Sequence, residues 1–113
     1  MSQLPKPPAT FRAFVKRFPD LGSAWESIEL EGKRGPLDAE TARLVKLGIA
    51  IGAMREGSVH SSVRKALSQG ISLDALEQVV ALAGGTVGMP STVAAWTWVH
   101  DEVKKHELSP PKG

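Results

Sequence analysis

Between Asp38 and Met54 the chain places Ala42, Leu44, Val45, Leu47, Ile49, Ala50 and Ile51, which on a helix leaves few directions polar. A helix that is apolar nearly all round has to be surrounded by other elements. Asp38 is a good N-cap for it, so a helix from Ala39 to about Met54 is expected at the centre of a helical assembly. The run contains Lys46 and is too short to cross a bilayer.

The remaining segments carry helical spacing as well. Thr10 can cap a short helix with Phe11, Phe14, Val15 and Phe18 on its apolar side, and Pro19 stops it. Leu21, Trp25 and Ile28 give a second helix, Leu21 to Glu31, one narrow apolar stripe before the Gly32-Lys33-Arg34-Gly35-Pro36 break. A fourth helix starts near Glu56, turns Val59, Val63, Ala66 and Leu67 inward and closes on Gly70. Ser72 caps a fifth, which is expected to end at Gly84-Gly85. Gly88-Met89-Pro90 then restarts the chain into a sixth, from Ser91 to about His106. The fold class is all-α with about six helices. The domain is expected to span residues 9–107, with a flexible segment at 1–8 and a Pro-rich disordered tail at 108–113.

A chain of 113 residues buries only about two-thirds of its unfolded surface. In the last helix Val93, Trp96 and Val103 lie near one face while Ala94, Ala95 and Trp98 lie on another, so two faces want cover. A homo-oligomer with helix-on-helix contacts is therefore expected, the alternative being a compact monomer with one half-exposed Trp. The net charge of +2 comes from 14 basic and 12 acidic residues scattered in pairs, a field too weak to argue for nucleic acid or a membrane surface. The Met1–Pro8 segment lacks the plan of a signal peptide, and a cytoplasmic location is the default expectation. With no cysteine, the chain has no disulfide, no Cys-containing zinc site and no thiol redox cycle of its own.

Glu56, His60 and Arg64 are spaced four apart, which stacks a carboxylate, an imidazole and a guanidinium on one helix face. That is an outline of proton-transfer chemistry. Histidine titrates near neutral pH, a neighbouring carboxylate can fix its tautomer, and an arginine one turn on can hold an anionic substrate. Ser58, Ser61 and Ser62 add hydrogen-bonding capacity. The alternative is an exposed ladder worth a few tenths of a kcal/mol. His100 and His106 do not share a face and are expected to be solvated. No metal site is expected, because Glu56-Gly57-Ser58-Val59-His60 fits neither the zincin nor the di-iron spacing. Gly84 to Pro90 lacks the spacing of a phosphate loop and is a helix stop and restart.

The stretch LDAETARLVKLGIAIGAMREGSVHSSVRKALSQGIS, followed by LEQVVALAGGTVGMPSTVAA, resembles the carboxymuconolactone decarboxylase family within the AhpD-like alkylhydroperoxidase superfamily. Its most specific parts are His60 followed by VRKAL and Gly70, and the Gly88-Met89-Pro90 restart before a small-residue helix. The resemblance implies an all-helical AhpD-like domain, assembled into trimers or hexamers, with an active-site cleft around His60. The thiol peroxidase branch of the superfamily has Cys-x-x-Cys-x-x-x-His. Ala53 and Glu56 occupy the two cysteine places here, and Arg43 stands where those relatives usually have a relay glutamate. The decarboxylase branch has a Glu four residues before the His, which Glu56 and His60 match. The implied activity is acid/base chemistry on a small carboxylate or lactone. His60 is expected as general acid, Glu56 as the group that orients or recharges it, and Arg64 beside the substrate carboxylate, with no cofactor. The alternative is a non-catalytic oligomeric scaffold or small-molecule binding module of the same fold.

Overall fold

The computed structural model describes residues 9–108, all of whose regular structure is helical. The segment expected to be flexible, 1–8, and residues 109–113 of the tail expected at 108–113 lie outside the described residues; Leu108 is corrected from that tail to the last residue of the sixth helix. Helices α1 (Ala9–Arg17) and α2 (Pro19–Gly32) form a hairpin, followed by α3 (Ala39–Gly52), α4 (Glu56–Ser68), α5 (Leu73–Val87) and α6 (Met89–Leu108). The last four close a ring in which α3 packs on α4 and α5, and α6 packs on the same two from the other side. The α3–α5 edge and the α4–α6 edge therefore lie on opposite sides of the body.

Sequence chemistry sets most of the helix ends. The Asp38 side chain accepts a hydrogen bond from the Thr41 backbone N–H at 2.7 Å, and Ser72 Oγ accepts one from Ala75 N–H at 3.1 Å. At the end of α4, Gly70 N–H bonds Leu67 O and Ile71 N–H bonds Ala66 O, each at 3.0 Å, the paired closure that needs a left-handed residue between them. Gly70 supplies it at φ +82°. The end of α3 closes in the same way, with Met54 N–H on Ile51 O and Arg55 N–H on Ala50 O, but there Met54 itself takes φ +54°.

Two expected boundaries are corrected. Helix α5 does not stop at Gly84-Gly85 but continues to Val87. Gly84 and Gly85 lie inside the helix, and an added Cβ at Gly84 would meet Thr92 Oγ1 of α6 at an ordinary contact distance of 3.7 Å. The break falls at Gly88, whose φ of 87° and ψ of 162° are a conformation open essentially to glycine alone. Helix α2 begins at Pro19, which is tolerated in a first turn where no N–H is needed.

The core gathers Leu47, Ala50 and Ile51 of α3, Val59, Val63 and Ala66 of α4, Leu76 and Val80 of α5, and Ala95, Val99 and Val103 of α6, with Ile71 closing the α4–α5 turn. Helix α3 is thus a corner of the ring and not its centre. Its inner stripe is buried, while Val45 and Ile49 remain 45% and 65% exposed. On α6 the buried face runs through Ala95, Val99 and Val103, so Val93 and Trp96, expected to share a face with Val103, point outward. The α1–α2 hairpin has no buried residue in either helix.

Candidate active site

Helix α4 begins at Glu56 and turns Val59, Ser62, Val63 and Ala66 into the core. That inward stripe leaves His60 and Arg64 at the margin of the buried face, where α6 passes. His60 keeps 16% of its side-chain surface exposed and Arg64 keeps 32%. The i, i+4 series read from the sequence is present: Glu56 Oε2 lies 3.5 Å from His60 Nε2, and its own side chain is 60% exposed.

The group that dominates the site comes from the other end of the chain. Glu102 of α6 is 3% exposed, and its Oε1 lies 2.8 Å from His60 Nδ1 and 3.3 Å from Arg64 Nη1. A carboxylate this deep would be strongly disfavoured alone; the imidazole and the guanidinium compensate it. Ionised, it can only accept hydrogen bonds, so it selects the His60 form with a proton on Nδ1. Nε2 is then the nitrogen left for chemistry, and Glu56 stands beside it at the water-facing end.

Both ring nitrogens therefore face a carboxylate, Glu102 at Nδ1 and Glu56 at Nε2, of which the Glu102 contact is the shorter and the more buried. Arg64 was expected beside a substrate carboxylate; its Nη1 faces Glu102, and its Nε is buried without a hydrogen-bond partner. The serines divide: Ser62 is buried, Ser61 half-buried and Ser58 exposed. His100 is corrected from a solvated residue. Its side chain is 33% exposed, its ring stacks on Trp96 with centroids 4.2 Å apart, and its Nε2 lies 2.9 Å from Glu77 Oε2 across the α5–α6 contact. That proximity is an ion-pair contact without hydrogen-bond geometry. His106 is exposed, as expected.

Sequence reading missed Glu102. The available signal was its register: positions 95, 99, 102 and 103 form one helical stripe, and an acid on that stripe has to find a partner on entering the core.

Arg43 and Lys46 of α3 and Lys65 of α4 lie within electrostatic reach of one another, with Glu29 of α2 among them. Arg43 Nε donates to Gln69 Oε1 at 3.4 Å, and partial burial lowers the pKa of its guanidinium, opposed by Glu29. Burial, then the positive neighbours Arg43 and Lys46, holds the Lys65 ammonium below the usual lysine range. A separate groove of about 510 Å³ opens between α3 and α5, lined mainly by Leu44, Val45, Gly48, Val79, Leu82 and Ala83. None of Glu56, His60, Arg64 and Glu102 lines it, and the ring puts it on the far side of the body. The candidate active site is thus chosen on its side-chain chemistry and lies apart from this groove. Among the described residues no group of three or more His, Asp and Glu has metal-holding geometry.

The described residues form an all-helical domain in which a histidine lies between a buried and an exposed carboxylate, and the sequence has no thiol. Residues 19–101 match the model of the carboxymuconolactone decarboxylase family, and the chain belongs to that family. The match includes Glu56, His60 and Arg64 and ends one residue before Glu102. No curated protein and no solved structure gives a significant match.

Proposed function

We propose that this chain is a decarboxylase-like enzyme that uses His60 as a general acid on a small carboxylate or lactone. The observation that carries the reading is the buried Glu102 against His60 Nδ1 at 2.8 Å, which fixes which ring nitrogen faces the reactants. When the C–C bond to a carboxylate breaks, carbon dioxide leaves and the bonding pair stays on carbon, conjugated with a neighbouring carbonyl. The imidazolium then delivers its Nε2 proton to that carbon and becomes neutral, still donating Nδ1–H to Glu102. Glu56, 3.5 Å from Nε2 and open to water, returns the proton. A positioned acid of this kind contributes an acceleration of about 10² to 10⁴. The Arg43–Lys46–Lys65 edge favours an anionic substrate, and Arg64 can hold a carboxylate while remaining paired with Glu102. The chemistry draws on no cofactor.

The test is carbon dioxide release from carboxymuconolactone and from a panel of small lactone acids. The expected result is turnover by the unmodified chain and a fall of about 10²-fold or more in kcat for His60→Ala. Full turnover by that variant removes His60 from the role.

A second reading is a non-catalytic binding module of the same fold. It is favoured by the position of the groove on the α3–α5 edge, away from His60, and by the engagement of Arg64 with Glu102. Ligand binding by the groove together with no turnover of any lactone acid would select it.

We also infer that the chain works as a homo-oligomer, with the trimers or hexamers implied by the family resemblance as the expected sizes. Trp25 at 49% and Trp96 at 43% exposure, together with Val45, Ile49 and Leu82, form more open apolar surface than a small monomer ordinarily leaves uncovered. Among the described residues no helix is long and apolar enough to cross a membrane.

A further inference from the structure

The flank of α4 that faces α3 carries positive charge that the described residues do not neutralise. Arg43 Nε donates to Gln69 Oε1 at 3.4 Å, which ties an α3 side chain to the C-terminal end of α4. Lys65 lies four residues before Gln69 and so shares its face of α4, and Lys46 lies one turn on from Arg43 along α3. Arg43 and Lys65 are half-buried and Lys46 is exposed. Among the described residues the Arg43 Nη atoms and the Lys65 ammonium have no hydrogen bond and no ion pair. Burial, and then Arg43 and Lys46, hold the Lys65 ammonium below the usual lysine range, so the arrangement is unfavourable as it stands. The carbonyl end of α4 favours one cation at Lys65, but not a second and a third beside it. Arg64, which also acts on Lys65, is already paired with Glu102.

We propose that Arg43 and Lys65, with Gln69 and Lys46 at the rim, bind a small oxyanion group, a phosphate or a carboxylate, at a site separate from His60. The donors set that class. Arg43 keeps both Nη nitrogens for a planar bidentate contact, Lys65 supplies a point charge, and the Gln69 amide, whose oxygen accepts from Arg43, still has its NH2 to donate. Lys65 stands five residues after His60, about 140° further round α4, while His60 and Arg64 face α6 through Glu102. An anion held by Arg43 and Lys65 therefore lies across α4 from His60, and this edge acts on a substrate at His60 only through its field. Glu29 of α2 is the internal rival. Its charge reaches both Arg43 and Lys65, yet it forms no ion pair among the described residues. It sits on a hairpin that buries nothing, so its carboxylate can leave without opening the core.

The test is an NMR titration of the full-length chain with inorganic phosphate and, separately, with succinate, both at constant ionic strength. Saturable shifts are expected at residues 43, 65 and 69 and not at His60, together with a rise in the titration midpoint of the Lys65 ammonium. Tighter binding of phosphate assigns the site to a phosphorylated ligand and tighter binding of succinate to a carboxylate one; either supports it. Arg43→Gln and Lys65→Met are each expected to weaken binding by about tenfold or more, the worth of a hydrogen bond to a charged group. Glu29→Gln, at an exposed position outside the core, is expected to tighten binding, and it keeps the test decisive should Lys65→Met not fold. Shifts that spread over the surface without saturating would overturn the proposal. So would shifts centred on His60 and Arg64, an affinity unchanged in folded Arg43→Gln, or an affinity unchanged or weaker in Glu29→Gln. None of these outcomes depends on turnover at His60.

Discussion

Glu102 brings a carboxylate into a position 3% exposed, and a single oxygen, Oε1, serves both His60 and Arg64. Removing that carboxylate leaves a guanidinium with a buried Nε without its counter-charge and an imidazole with only the exposed Glu56 beside it. Glu102→Ala is therefore expected to destabilise the fold by about 3 kcal/mol, read as a lower urea midpoint. Glu102→Gln keeps the shape and some hydrogen bonding, so it should cost about 1 to 3 kcal/mol while still depressing turnover. If the Gln variant turned over lactone acids at the unmodified rate, orientation by a charged Glu102 would be excluded. Gly70 is a backbone requirement and not a contact: no atom lies within 4 Å of an added Cβ, yet φ is +82°. Gly70→Ala should cost about 1 kcal/mol through strain alone.

At the scale of the helix, capping turns local chemistry into stability. Ser72→Ala should lower stability by about 1 kcal/mol in urea denaturation, because Ala75 N–H loses its acceptor. Asp38 adds a pH dependence. Hydrogen bonds from Thr41 lower its carboxyl pKa in the fold, so its contribution is fully present above the ordinary carboxylate pKa of about 4 and is lost as pH falls through the lower folded value. Asp38→Asn should remove that part of the acid limb of the stability curve; an unchanged limb would contradict the assignment. Caps and 3.6-residue spacing are local properties, which is why six helices were legible in the sequence. The α5 end was not, because a helix tolerates Gly84-Gly85 at a modest cost, and which of three nearby glycines takes the helix-breaking conformation, here Gly88 at φ 87°, is settled only by the path of α6. The central placing of α3 failed for a related reason: apolar residues on all sides show that cover is needed, not whether the same chain provides it.

Across the whole molecule, the four-helix ring carries the core and the N-terminal hairpin adds nothing buried to it. Leu47 has no exposed surface, and Leu47→Ala is expected to cost about 2 to 5 kcal/mol in unfolding free energy. The candidate site divides between the two kinds of information. Glu56, His60 and Arg64 were legible because they share one helix face at i, i+4 spacing, whereas the contact of Glu102 with His60 spans 42 positions and exists only once α6 lies against α4. The central claim, that Glu102 fixes His60 with its proton on Nδ1 and leaves Nε2 for the reaction, is tested most directly by the tautomer of the neutral ring. Long-range ¹⁵N–¹H correlation of His60 in the unmodified chain, with Glu102→Gln alongside, reads it without any substrate. The geometry predicts the Nδ1–H form, relaxing toward a mixture in the variant. A ring protonated on Nε2, facing Glu56, in the unmodified chain would contradict the account.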